Sequence, residues 1–199
     1  FPCWRRGLRL FRPEDGHTRP IRRRQRSDDA AAALRPRFAQ AAALCFGGTT
    51  ALHFLRKAEL KPGQSILVLG GSSCVGLALI QLARQQGAEV TATTSARNVD
   101  LVTEKGAHQV IDYAVTNLAD MAQRFDIIAD AVAATDFAAA QKLLKPNGRY
   151  LAIAGTLKEM LGAMRKGANG TRMVAGPASE LPEDVAILTR LAEEGHYRP

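Results

Sequence analysis

At 199 residues, 46% of them apolar, the chain can fill one full core, and no run approaches the ~18 apolar residues of a membrane-spanning helix, so membrane function is not expected. The net charge of +8 is uneven: residues 1–40 carry 11 Arg and no Lys against 4 acids, a net of +7, which leaves +1 for residues 41–199. The basicity thus belongs to an arm on a nearly neutral body, and the odd, widely spaced Cys3, Cys45 and Cys74 fit a reducing, cytoplasmic setting better than a disulfide framework.

The arm, punctuated by Pro2, Pro13 and Pro20, shows no sustained apolar period and is expected to be disordered or irregular. Three readings of it stand open: a solvated or mistranslated leader, an arm for nucleic acid or another acidic partner, and an Arg-rich transit peptide. Nucleic acid is the less expected partner. The first domain boundary falls at 40, with residues 41–199 as the folded unit.

From Ala41 the pattern becomes orderly. AAALCFGGTTALHFLRKAEL predicts a turn and then a helix starting near Thr49 or Thr50, broken by Lys61-Pro62-Gly63. Ile66–Leu69 reads as a buried strand, followed by a glycine-serine turn and a helix over Val75–Gln86 that Gly87 ends. Next come strand 89–95, a helix over Val99–Glu104, strand 108–113, a weak helix near Asn117–Arg124 and strand 125–132. A helix across Phe137–Leu144 is expected to stop at Lys145-Pro146-Asn147-Gly148, ahead of strand 149–155. A helix near Leu157–Met164, strand 171–176 and a helix over Glu183–Glu194 complete the series. Strands and helices alternating at this interval predict an α/β, doubly wound (Rossmann) six-stranded parallel sheet with its ligand at the carboxyl ends of the strands.

The strand–turn–helix over Ser65–Ala88 carries the chemistry. Its turn, Gly71-Ser72-Ser73-Cys74-Val75-Gly76, follows the G-x-G-x-x-G fingerprint with serine in the middle place. Unpaired N–H groups at a helix N-terminus favour an anion such as a pyrophosphate, and Ser73 is expected to offer its hydroxyl to a phosphate oxygen. A site for NADH usually places an acid at the end of the second strand. Here Thr93, Thr94, Ser95 and Arg97 stand there, with no acid before Asp100. Hydroxyls and a guanidinium suit a 2′-phosphate that a carboxylate would repel, so NADPH is expected over NADH.

Taken together, AAALCFGGTTALHFL, KPGQSILVLGGSSCVG, LVTEKGAHQVIDY, FDIIADAV, LLKPNGRYLAIAG and MVAGPASE resemble the medium-chain dehydrogenase/reductase superfamily. The resemblance covers about residues 39–199 and is closest to the zinc-independent quinone-oxidoreductase-like branch and related NAD(P)-dependent alcohol dehydrogenases. It implies hydride transfer between a nicotinamide and a small-molecule quinone, carbonyl, alcohol or activated alkene. It places Thr49 near the nicotinamide, Ser72, Ser73, Cys74 and Val75 along the pyrophosphate, and Ser95, Arg97 and Tyr113 around the adenosine ribose and its phosphate. The turns after Val132 and at Ala154-Gly155 would face the nicotinamide ribose and ring. It also implies a dimer through the last strand, TRMVAG.

The family usually carries a separate, mostly β catalytic domain that residues before Ala41 do not resemble, so an isolated cofactor domain is expected, from a truncated or frameshifted gene. Cys45 stands at the place where zinc-dependent relatives have a ligand, in C-x-x-x-T with Thr49. Catalytic zinc needs three protein ligands; His17, His53, His108 and His196 show no such spacing, so no metal is expected and Cys45 reads as a buried structural thiol. Asp112, Asp126 and Asp130 read as caps or turn residues, and no catalytic residue is identified.

Overall fold

The computed structural model describes residues 44–155, 167–179 and 181–198. The arm and the helix expected near Leu157–Met164 lie outside the described residues. Elements below are numbered among the described ones.

A π-helical turn over Leu44–Gly48 runs directly into α1 (Thr49–Lys57). Then follow β1 (Ser65–Leu69), α2 (Cys74–Gln85), β2 (Glu89–Thr94), α3 (Val99–Glu104) and β3 (Gln109–Asp112). The second half holds β4 (Phe125–Asp130), α4 (Phe137–Gln141), β5 (Leu144–Ala152), β6 (Arg172–Ala175) and α5 (Pro182–Glu193). All six strands are parallel, in the order β3-β2-β1-β4-β5-β6. The order reverses at β1, which makes the carboxyl ends of β1 and β4 the switch point where such sheets bind ligands.

Every residue of β1 is buried because both faces of the sheet are covered. Ile66 and Val68 join Val90, Ala92, Ile127, Ala129 and Leu151 under helices α1, α2, α3 and α5. Leu67 and Leu69 face the other way, into a second core with Phe125, Ile128, Tyr150, Met173 and the α4 side. A side chain of this kind contributes about 1.5–3 kcal/mol when fully buried.

Three expected elements differ. The helix near Asn117–Arg124 is only a single 3₁₀ turn, Leu118–Asp120. The Asn117 side chain caps Ala119 N–H at 3.1 Å, the backbone is already extended at Met121, and Arg124 binds the carbonyls of Met121, Ala122 and Gln123. Helix α4 stops at Gln141 rather than Leu144, since the Leu143 carbonyl accepts the Phe125 N–H at 2.8 Å and the chain joins β4 there. Lys145-Pro146-Asn147-Gly148 is consequently no boundary. It is a bulge inside β5: Phe125 pairs with Leu144 and Ile127 with Arg149, and Asn147 takes a left-handed φ of 62°.

Among the described residues no helix is long and apolar enough to cross a membrane.

Candidate cofactor-binding site

The turn after β1 is held from beside it by β2. Thr93 Oγ1 accepts Gly70 N–H at 3.2 Å, and the Thr93 carbonyl accepts Gly71 N–H at 2.7 Å. Thr93 therefore shapes the turn from within the sheet. Ser73 caps α2: its hydroxyl donates to the Gly70 carbonyl at 2.8 Å and accepts Gly76 N–H at 3.0 Å. This corrects the expectation that the Ser73 hydroxyl faces a phosphate, because its proton is already held by the backbone. What the turn presents is main chain: the N–H groups of Ser72, Cys74 and Val75 meet no protein acceptor among the described residues. They stand at the start of a twelve-residue helix, a geometry that suits an anion.

Two glycines permit the arrangement. A Cβ on Gly76 would fall 2.2 Å from the Gly70 oxygen, so α2 packs against the turn only with glycine there. Gly70 itself has a φ of 79°, and its Cα is roofed by the Val132 side chain, 2.4 Å from where a Cβ would stand. Val132, half exposed beyond β4, thus closes over the turn at the switch point.

Asp130, the last residue of β4, fixes that roof. Its carboxylate is buried and accepts the N–H groups of Val132, Ala134 and Thr135 at 3.0–3.1 Å and the Tyr150 hydroxyl at 3.1 Å. Its carbonyl holds Ile153 and Ala154 N–H at 3.1 and 3.3 Å, leading to half-buried Gly155. Asp112 and Asp126 likewise accept main-chain N–H groups, from Ala114 and Ser65. The bonds of Asp112 and Asp130 are those of turn residues, as expected, whereas Asp126, within β4, ties the start of β1 and Lys145 and is neither cap nor turn residue.

At the end of β2 the Ser95 side chain is half buried, in contact with Asn98 Nδ2 at 3.4 Å. Arg97 is exposed in the turn Ala96–Asn98 and has neither a hydrogen bond nor an ion pair among the described residues. Tyr113 follows β3 with its N–H on the Thr94 carbonyl at 3.2 Å and its ring largely exposed. It borders an open hollow of about 670 Å³ that Thr116, Ala134, Thr135 and Lys142 also line. A second hollow of about 450 Å³ is lined by Arg84, Lys105 and Arg198 near the C-terminal ends of α2 and α3.

On the near side, Thr49 is buried as the first residue of α1. Gly47 touches Cys74, whose thiol is free and exposed. Tyr197 is packed against Gly48; burial, with Cys74 beside it, pushes its phenol up to about 12, so it stays neutral. The Cys45 side chain lies outside the described residues. Sequence reasoning offered the Thr93 hydroxyl to a 2′-phosphate and read Asp130 as a cap or turn residue; that Thr93 holds the glycine turn and Asp130 the roof over it was not foreseen.

Among known proteins, the profile described as zinc-binding dehydrogenase matches residues 74–189. The chain is 38% identical over 130 residues to an NADPH-dependent alkenal/one oxidoreductase of Arabidopsis thaliana, covering 63% of this chain and 33% of that protein. The same figures hold for a 2-methylene-furan-3-one reductase of Solanum lycopersicum. The chain thus spans about a third of the length of these curated relatives. In structure it resembles a quinone oxidoreductase from Coxiella burnetii, with a TM-score of 0.68 and 30% identity over 80% of this chain and 50% of that one. Among the described residues no three His, Cys, Asp or Glu side chains come together to hold a metal ion. With its profile matched over more than half the chain and the parallel sheet to go with it, the protein belongs to the zinc-binding dehydrogenase family.

Proposed function

We propose that this chain is the NADPH-binding part of an oxidoreductase, and that the whole protein reduces a small α,β-unsaturated carbonyl or quinone. The cofactor's pyrophosphate would take the N–H groups of Ser72, Cys74 and Val75, between Gly71 and Gly76. Arg97 and Ser95 would hold the 2′-phosphate, with Tyr113 beside the adenosine. Thr49, Val132 and Gly155 would border the nicotinamide, which supplies the hydride when bound. The observation that carries this reading is the cation at Arg97: it is exposed, unpaired among the described residues and faces no carboxylate at the end of β2. The alkene class rests on the names of the alkenal and furanone reductases, which are 38% identical.

The division into an arm of residues 1–40 and a domain of 41–199, pairing through the β6 edge and a cytoplasmic location complete the proposal. A parallel edge strand of four residues offers the unpaired backbone that such pairing uses.

Fluorescence titration of the purified chain with NADPH and NADH tests the reading. Saturable binding that prefers NADPH is expected, and Arg97→Glu should weaken NADPH about tenfold or more while sparing NADH, since a charge-assisted bond contributes about 1.5–3 kcal/mol. Binding of neither nucleotide overturns it.

A further inference from the structure

His53 lies one turn after Thr49 on α1, and its ring meets the connection between β6 and α5. Nδ1 accepts the Ser179 backbone N–H at 3.2 Å and lies 2.7 Å from Ser179 Oγ. Accepting a main-chain N–H requires a lone pair on Nδ1, so the proton of the neutral ring sits on Nε2. Nε2 is buried with no partner among the described residues, and so is Oδ2 of Asp184, whose Oδ1 is held by Arg56. Only the neutral ring satisfies Ser179. The connection it holds leaves β6 at Ala175, on the same carboxyl edge of the sheet as the glycine turn, Val132 and the turn after β5.

We propose that His53 is a positioning residue: its neutral imidazole fixes the backbone of residues 176–179 at the edge of the cofactor cleft through the Ser179 N–H, and protonation at Nδ1 breaks that main-chain bond. The proposal rests on the cofactor reading above. A proton on Nδ1 would set two donors, Nδ1–H and Ser179 N–H, against each other. The Ser179 hydroxyl can accept only the first, and the main-chain tie is lost.

The charged groups that face the ring among the described residues are Lys57 and Arg56 on its own helix and Asp184 on α5. Burial, then Lys57 and Arg56, hold the imidazole below its ordinary 6.5, while Asp184 pulls the other way. For a group lowered in this manner the stabilising contact is present above 6.5 and is lost as pH falls through the lowered value. The main-chain latch is therefore shut at neutral pH and broken in mild acid.

The test uses the full chain labelled with ¹⁵N, followed by NMR from about pH 8 to about pH 5. The Ser179 amide and the His53 ring should titrate together, with one midpoint below the ordinary histidine value. A Ser179 amide indifferent to the ring's titration overturns the latch, and this arm needs no variant. In parallel, NADP⁺ affinity is measured across the same range for the chain and for His53→Gln, which carries the 2′-phosphate's own titration near pH ~6 as baseline. Relative to that baseline, the unaltered chain should lose about threefold or more in affinity below the midpoint. Equal pH profiles would overturn the positioning role while leaving the latch. No NADP⁺ binding at any pH would overturn the cofactor reading, and with it the positioning role, but not a latch seen by NMR.

Discussion

The carbonyl oxygen of Gly70 lies 2.2 Å from where a side chain at Gly76 would begin, so the start of α2 is sealed against the turn by contact between two backbones. Gly76→Ala forces that backbone apart. Overpacking of this kind costs about 1–3 kcal/mol, and cofactor binding should suffer more than stability, because the amides that flank position 76 move with it. Urea unfolding and NADPH titration on the same variant would separate the two effects.

Asp130→Asn keeps the shape and one acceptor but sets its amide N–H against the Thr135 N–H that the second carboxylate oxygen accepts, while the Tyr150 hydroxyl keeps the Thr135 carbonyl at 2.7 Å. Each group left unsatisfied costs about 1–3 kcal/mol. The urea midpoint should fall with an unchanged slope, and hydrogen exchange at residues 132–135 should quicken before that of β1.

The Thr94 hydroxyl is buried with no hydrogen-bond partner among the described residues. Thr94→Val replaces it with a methyl of similar size. Relief of an unsatisfied group predicts a gain of about 1 kcal/mol in thermal or urea unfolding. A loss would show that the hydroxyl has an acceptor.

Burial alone would raise the Asp126 carboxyl, but Lys145 Nζ at 2.8 Å and the Ser65 N–H and hydroxyl more than offset it and hold it below its ordinary 3.8. The sign follows: the contribution is present above the ordinary value and is lost as pH falls through the lowered one. Asp126→Asn should therefore be less stable than the unaltered chain at neutral pH, and the gap should close in acid below about pH 4. An urea midpoint measured against pH for both proteins checks it.

The glycine turn was readable because its signals are local: a run of apolar residues in Ile66–Leu69, then glycines at fixed offsets, then helical spacing. The β5 bulge was not, since Lys145-Pro146-Asn147-Gly148 carries every mark of a loop and only pairing with β4 before and after it, at Leu144 and Arg149, keeps it in the sheet. The same non-local pairing shortens α4. The Ser73 hydroxyl, expected to face a phosphate, instead caps α2, because a serine before a helix caps it whenever the third amide is in reach. The identity of the anchoring residues, Thr93 and Asp130, depended on which strands lie side by side, and strand order is not written in any one segment.

Strand order also dictates when the domain can form. β1 is the middle of the sheet, yet Ile66 waits for Ile127, 61 positions later, to cover its second edge. Pairings so distant in sequence form slowly. While the chain is being synthesised, the apolar ribbon Ile66–Leu69 and its neighbour β2 stand with an open edge until Asp130 has emerged, and an open apolar edge invites pairing with another nascent chain. The Ser65–Asp126 bonds lie at the first residue of that seam, where they would fasten β4 as it arrives.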